Sequence, residues 1–261
     1  MISFFRTLRR KLLEESNIRK YIWYALGEIL LVMIGILLAL QVNNWNIDRQ
    51  TRNEEKTYLT NLKRDLQINV RLLDEILEYN EENITTTAYV SDIAEQGKVE
   101  DIYLFISNIR ITMGGNNFTP NQNTFEEMKS SGKLSLITNE YIKQQLLALD
   151  EQFILIEGGE AHVQREYEQY LWDEFVNEVS YGDYFERKTF RENFELTLDT
   201  AYIETNEQKL LREANLILKN TRFKNGLYLY EVNYVYLNTV FKETNTMVEE
   251  LITLIDQEIT E

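Results

Sequence analysis

One apolar run near the N-terminus constrains this chain more than any other feature. Residues 22–40 read IWYALGEILLVMIGILLAL, and Glu28 is the only charged residue among them. At the rise of an α-helix, these residues span about 28 Å, which is close to the thickness of the hydrocarbon core of a bilayer. We therefore predict a basic segment over residues 1–21, a transmembrane helix over 22–45 and an exported domain over 46–261.

The residues that flank the run predict its orientation. Six basic residues precede it, whereas three lie among the fifteen residues that follow Trp45. Because cytoplasmic flanks carry the excess of Lys and Arg, we expect the N-terminus in the cytoplasm. Aromatic side chains collect at membrane interfaces, and the interfacial anchors predicted here are Tyr21, Trp23 and Tyr24 at one end and Trp45 at the other.

A cleaved signal peptide is the alternative to a retained anchor. The apolar part of a signal peptide usually has 7–15 residues and leads to a cleavage site built from small residues. This run is longer, and the sequence QVNNWN after it has no small residues at the required spacing. We therefore favour a retained signal anchor, and the absence of cysteine excludes a lipoprotein anchor.

Charge is divided unevenly along the chain. Residues 1–20 carry a net charge of +4 and residues 46–261 carry −19, within a total of −16. The basic segment is suited to contact with anionic lipid headgroups. The acidic domain would repel nucleic acid, so we expect membrane lipid and protein as partners and no nucleic acid.

The scarcity of helix breakers predicts an all-α protein. One proline and ten glycines occur in 261 residues, and apolar residues recur at helical spacing in three long segments, at about 46–95, 139–179 and 222–259. With shorter helices between them, these segments predict a transmembrane helix followed by a helical bundle. Tyr228–Val235 is rich in strand-forming residues, but the pattern around it is helical.

The first long helix carries a stripe of residues at heptad spacing: Leu59, Leu62, Leu66, Asn69, Leu73, Ile76 and Asn80. Two interpretations remain open for this stripe. It packs against other helices of its own domain, or it forms a coiled coil with a second copy. In the second long helix, Gly158 and Gly159 predict a kink or the close approach of another helix.

Threonines followed three residues later by Glu or Gln predict helix starts of the capping-box type. The predicted pairs are Thr124 with Glu127, Thr189 with Glu192 and Thr205 with Gln208; Thr138 is predicted to cap the second long helix.

Three segments of the chain resemble a bacterial family catalogued only as a domain of unknown function. They are YALGEILLVMIGILLALQVNNWN at 24–46, FTPNQNTFEEMKSSGKLSLI at 118–137 and the helical segment at 222–259. Their order and spacing agree with the family over nearly the whole chain. The resemblance implies a single-pass protein of the bacterial inner membrane with a periplasmic helical domain, and it supplies no activity.

One face of the predicted membrane helix is a candidate interface between helices. It consists of Ala25, Glu28, Val32, Gly35 and Ala39, which helical geometry places together. Small residues permit close approach of a second helix, and an ionisable residue inside a membrane helix suggests function. Three roles remain open for Glu28: contact with another helix, snorkelling towards the headgroups, or proton relay.

No combination of residues predicts catalysis. His162 is the only histidine, there is no cysteine, and Glu160 lies two positions before His162 rather than the three found in di-iron bundles. The Gly114–Gly115 loop could cradle an anion through backbone N–H groups, but the lysine and the strand–loop–helix context of a P-loop are lacking. We therefore expect no enzyme activity, no metal and no cofactor.

These observations predict a structural or adaptor protein that presents a helical extracytoplasmic domain to protein partners or to a second copy. One alternative is a subunit of an ion- or proton-coupled membrane assembly that uses Glu28. Another is an extracytoplasmic sensor that acts through a partner. The sequence identifies no small-molecule ligand.

Overall fold

A computed structural model describes residues 18–193 and 196–260 of this protein. Within them there is no strand, and one isolated bridge pairs Phe185 with Leu198. The all-α prediction is therefore confirmed. The α-helices in chain order are α1 (Ile18–Gln96), α2 (Ile102–Thr112), α3 (Asn123–Ser130), α4 (Glu140–Glu166), α5 (Asp173–Glu178), α6 (Arg187–Asn193), α7 (Thr200–Ile217) and α8 (Thr221–Thr260).

The first compact unit, Met1–Thr57, contains the apolar part of α1. The most apolar window of this helix has a mean hydropathy of 2.4, and none of that window is buried. An apolar helix from the core of a water-soluble domain would be mostly buried. The exposed helix is therefore consistent with membrane anchoring.

The predicted interfacial anchors lie at both ends of the apolar part of α1. Trp23 and Trp45 are exposed and Tyr24 is partly buried, while the side chain of Tyr21 lies outside the described part of the chain, as do residues 1–17. Twenty-two residues of helix separate the two tryptophans by about 33 Å, a distance suited to two membrane interfaces.

The second compact unit, Tyr58–Glu261, buries the heptad stripe of α1 within a single chain. Leu59 and Leu73 are fully buried, and the two polar members, Asn69 and Asn80, are 1% and 2% exposed. This burial agrees with the first interpretation, packing within the domain. No second copy is needed to cover the stripe.

Glycines mark two close approaches of α8, one to α4 and one to the helical turn that follows α4. A Cβ atom built on Gly159 would lie 2.8 Å from Leu237 Cδ2, whereas one on Gly158 would meet nothing within 4 Å. The predicted close approach therefore occurs at Gly159, and α4 continues unbroken to Glu166. At Gly226 of α8, a Cβ would lie 2.8 Å from Tyr170 Cβ and 3.1 Å from the Tyr170 carbonyl carbon.

The predicted helix starts are wrong by a few residues. Thr124, Thr189 and Thr205 lie inside α3, α6 and α7 rather than at their starts. The cap of α4 is Asn139, whose Oδ1 accepts from the N–H groups of Tyr141 and Ile142, and Thr138 precedes it.

The correct caps come from residues that the Thr-x-x-Glu pattern does not identify. Asp199 caps α7, since its carboxylate accepts from Tyr202 N at 2.9 Å. In the first turn of α3, the N–H group of Thr124 has a distant hydrogen-bond partner: Asp65 Oδ2 of α1 accepts from it at 2.9 Å. A carboxylate near a helix N-terminus meets both the free N–H groups and the helix dipole.

A polar clamp joins the start of α3 to α1. Asn69 Nδ2 donates to the carbonyl oxygen of Asn121 at 3.0 Å, and Asn121 N donates to Asn69 Oδ1 at 2.6 Å. Asp65 Oδ1 also accepts from the Asn121 side chain at 3.3 Å. The clamp, defined as Asp65, Asn69, Asn121 and Thr124, gives the FTPNQNTF segment a structural role.

Candidate functional site

The loop between α2 and α3, residues 113–122, covers a small cleft between α1, α4 and α8. The cleft has an open volume of about 20 Å³, which is room for one water molecule. Polar and aromatic side chains converge on it from three helices and from the loop itself. Its lining residues are Asn80, Gly114, Gly115, Asn116, Asn117, Glu160, Val163, Gln164, Tyr167, Tyr230, Tyr234, Leu237 and Phe241.

Three tyrosines form the wall of the cleft opposite the loop. Tyr167 Oη donates to the Met113 carbonyl oxygen at 2.9 Å, and Tyr230 Oη donates to the Gly114 carbonyl oxygen at 3.2 Å. The rings of Tyr230 and Tyr234 lie 4.5 Å apart, with their hydroxyl oxygens separated by 3.1 Å. Burial raises the pKa of Tyr167 and Tyr230, and that of Tyr234 to about 12, so all three stay neutral donors at physiological pH.

Glu160 of α4 is the acidic group of the cleft. Its carboxylate accepts a hydrogen bond from Phe118 N at 2.8 Å. Burial raises the pKa of Glu160 to about 7; the Phe118 hydrogen bond opposes this rise, and the charge of Glu157 adds to it. No basic side chain pairs with Glu160 in the described part of the chain.

Asn80 contributes an unpartnered donor to the same cleft. The residue is 2% exposed, and its Nδ2 has no hydrogen-bond partner. A buried donor without a partner costs about 1–3 kcal/mol. A water molecule in the cleft would satisfy it, since the open volume is sufficient.

A second, larger cleft of about 410 Å³ lies on the other side of the loop. Asn117 and Glu160 line both spaces and therefore lie between them. The second cleft combines apolar and acidic surface. Its lining residues are Asn117, Phe118, Thr119, Pro120, Gln122, Phe153, Ile154, Glu157 and Glu160.

Between α4 and α5 the chain forms a π-helix over Tyr167–Trp172. Such turns are rare and are often found at functional sites. Here the π-helix starts at Tyr167, whose hydroxyl group donates to the Met113 carbonyl oxygen of the loop. It also contains Tyr170, which lies in close contact with Gly226. An open groove of about 780 Å³ lies beside the π-helix and is lined by Met113, Gln164, Arg165, Tyr167, Glu168, Gln169, Trp172 and Asp173.

The candidate residues of the membrane helix all lie within α1, where helical geometry places them on one side. Glu28 and Ala25 are partly buried, whereas Val32, Gly35 and Ala39 are exposed. A Cβ atom on Gly35 would meet nothing within 4 Å. The face around Gly35 is therefore open to a second helix.

His162 and two amides of the glycine loop have partners within the protein. His162 is exposed and its Nε2 lies 3.4 Å from Glu166. Among the described residues, no group of three His, Cys, Asp or Glu side chains could hold a metal ion. The amides of Gly114 and Phe118 donate to Ile111 O and to Glu160, so the protein itself uses these donors.

Sequence reasoning missed the cluster of Glu160 with the three tyrosines. Glu160 lies in α4, Tyr167 in the π-helix after it, and Tyr230 and Tyr234 in α8, some sixty residues further along the chain. Only packing brings them together. Two local signals were available: Tyr230 and Tyr234 are four residues apart on one helix face, and Glu160 follows Gly159, the residue of close approach.

The comparisons with known proteins identify a family and no activity. The sequence profile described as "Family of unknown function (DUF6090)" matches residues 28–205. No curated protein and no solved structure matches the chain.

Proposed function

This chain belongs to the DUF6090 family, and from that premise we propose that it is a membrane-anchored adaptor that presents its helical domain to a protein partner. One observation carries the proposal. The outer face of α8 exposes a row of large apolar side chains. This row, the α8 face, consists of Tyr228, Val232, Val235 and Tyr236.

The α8 face has the spacing of a helix that binds in a groove. Its residues follow the pattern i, i+4, i+7 and i+8, which places them on one side of the helix. Their side chains are 67%, 46%, 50% and 57% exposed. Exposed aromatic side chains at such positions are typical anchors of protein interfaces, and the partner that fits them is an apolar groove or helix pair.

The proposal is a binding role rather than an enzymatic one. The cleft beneath the loop has room for one water molecule, and most of its polar groups hold the loop. The acidic charge of residues 46–261 argues against nucleic acid as the partner. The apolar face of α8 is therefore the observation that supports binding to a protein partner.

Photo-crosslinking in cells tests the α8 face. We expect a photoreactive residue at Val232 to give one defined adduct, and the same residue at exposed Glu250 of the same helix to give none. Replacing Tyr228 and Tyr236 with serine should weaken the adduct at Val232 about 10- to 100-fold, because losing the two exposed aromatic anchors together removes about 1.4–2.8 kcal/mol of binding free energy. Equal labelling at both positions, or an adduct indifferent to the serine substitutions, would contradict the proposal.

The same experiment distinguishes a second copy from a different protein by the mass of the adduct. For a second copy, the small-residue face of α1 is the contact we propose inside the membrane. Gly35→Leu should then abolish the adduct by blocking helix approach, whereas Glu28→Ala should weaken it only slightly, since membrane hydrogen bonds average about 0.6 kcal/mol. If Gly35→Leu leaves the adduct unchanged, the small-residue face of α1 contacts lipid rather than a second copy.

We further propose that the domain lies in the periplasm and the N-terminus in the cytoplasm of a bacterial cell. The excess of basic residues before the apolar run supports this orientation. Alkaline phosphatase, which is active only after export, should be fully active when fused after Glu261. β-Galactosidase, which is active only in the cytoplasm, should be inactive when fused at the same position. The reverse pattern of activities would refute the orientation.

A further inference from the structure

We propose that the groove beside the π-helix binds a pyranose ring of an uncharged oligosaccharide, stacked on Trp172 and held at its edges by Arg165 and Asp173. The groove has an open volume of about 780 Å³, which is in the range of sites for small ligands. The site is independent of the adaptor role, because the groove and the α8 face share no residue.

The π-helix builds an aromatic platform in this groove. In an α-helix, side chains five residues apart point about 140° away from each other, whereas the i→i+5 turn of a π-helix brings them nearly to the same side. Tyr167 and Trp172 are five residues apart, and their ring centroids lie 6.2 Å from each other. Both residues line the groove. An uninterrupted α-helix would not place these two rings together.

The fold holds the platform in place. The hydroxyl group of Tyr167 donates to the Met113 carbonyl oxygen at 2.9 Å, and its ring lies 5.9 Å from the ring of Tyr230. Tyr181 makes an edge contact with Trp172, with the ring centroids 6.3 Å apart. Trp172 nevertheless remains 36% exposed. A fixed aromatic surface that stays open to solvent can bind a ligand without the cost of ordering its own side chain.

Polar side chains that the fold does not use also line the groove. Arg165 and Asp173 are exposed, and within the described part of the chain neither side chain forms a hydrogen bond or an ion pair. Gln164 donates to the carboxylate of Glu168 at 2.7 Å, and Gln169 adds a second amide. The rim therefore offers planar donors and acceptors, which are suited to pairs of hydroxyl groups.

The charges of the rim select a neutral ligand with hydroxyl groups. The guanidinium group of Arg165 and the carboxylates of Glu168 and Asp173 line the same groove, so an ion of either sign meets a like charge there. A lipid tail would desolvate these ionised groups. A pyranose ring fits both parts of the surface. Its C–H groups, which carry a slight positive charge, pack on the electron-rich face of an indole, and its hydroxyl groups donate to carboxylates and accept from guanidinium.

Tryptophan fluorescence of the full-length chain tests the site, in a detergent without a sugar headgroup. The chain contains three tryptophans, so Trp23→Phe together with Trp45→Phe leaves Trp172 as the only indole. The probes are cellotetraose, maltotetraose and chitotetraose. At least one of them should change the emission of Trp172 saturably, with a dissociation constant below about 1 mM. Sorbitol, which has hydroxyl groups but no ring to stack, should cause no saturable change.

Calorimetric titration of variants with the tetrasaccharide that binds identifies the residues that hold it. Trp172→Ala should weaken binding at least about 10-fold through the loss of stacking. Arg165→Ala should weaken it about 10- to 100-fold, because hydrogen bonds to a charged group are strong. Arg165 is exposed, so this variant decides the matter if Trp172→Ala fails to fold. Tyr228→Ala, which removes an exposed aromatic side chain of the α8 face, is the matched control and should bind like the wild type.

Four results would overturn the sugar site. The first is the absence of saturable binding by all three tetrasaccharides up to about 10 mM. The second is binding that Arg165→Ala, or a folded Trp172→Ala, leaves unchanged. The third is binding that Tyr228→Ala abolishes, since the sugar would then lie on the α8 face. The fourth is a response to tetraalanine as strong as the response to the sugars, which would assign the groove to peptides.

Discussion

Replacing Asp65 with alanine is expected to lower the free energy of unfolding by roughly 3 kcal/mol, the value for losing charge-assisted hydrogen bonds to buried donors. Asp65 is 6% exposed, and its two oxygens accept from Thr124 N and from Asn121 Nδ2. The alanine variant leaves both donors without a partner and removes the N-terminal support of α3. Chemical unfolding of the full-length chain in detergent, followed by circular dichroism, gives the measurement.

Asp74 provides the matched control on the same helix. Its carboxylate accepts one exposed hydrogen bond, from Asn245 Nδ2 at 3.0 Å. Because exposed polar contacts contribute little, Asp74→Ala should change stability by less than about 1 kcal/mol. Asp65→Asn keeps one carbonyl acceptor, so its loss of stability should lie between those of Asp65→Ala and Asp74→Ala. Equal losses for Asp65→Ala and Asp74→Ala would show that the clamp does not stabilise the fold.

Gly226→Ala is expected to destabilise the domain by about 1 kcal/mol. The added methyl group would lie 2.8 Å from Tyr170 Cβ and 3.1 Å from the Tyr170 carbonyl carbon. Backbone atoms cannot yield as a flexible side-chain end can, so the π-helix and α8 must move apart. Overpacking of this kind costs about 1–3 kcal/mol, and the gain in helix propensity of about 1 kcal/mol offsets it only in part.

Gly158→Ala should change stability in the opposite direction. Gly158 is exposed in α4, and a Cβ atom there would meet nothing within 4 Å. The substitution thus adds helix propensity without a clash and should raise the free energy of unfolding by about 0.5–1 kcal/mol. If both variants shift the unfolding midpoint in the same direction, the close approach of α8 to the π-helix is not the reason for glycine at position 226.

Periodicity and composition were sufficient to predict the helices. The last helix was predicted over 222–259 and is observed over Thr221–Thr260, and Gly97 and Gly132 end their helices with φ angles of 74° and 75°. These features depend on neighbours in sequence: an apolar stripe repeats every turn, and a positive φ suits glycine. The starts of α3 and α7 differ from the prediction because their first-turn N–H groups meet the carboxylates of Asp65 and Asp199 rather than a threonine of the Thr-x-x-Glu pattern.

The sequence by itself determined the all-α class, the exposed apolar helix suited to a membrane and the kinship with a family, because each depends on residue order alone. Only the tertiary structure decided the roles of Asn69 and Glu160. On the sequence, Asn69 is a polar residue in an apolar stripe and Glu160 one of many helical carboxylates. Packing brings Asn69 to Asn121 and Glu160 to Phe118, and the environment of a polar group, which sets its energy and its charge, exists only once distant segments meet.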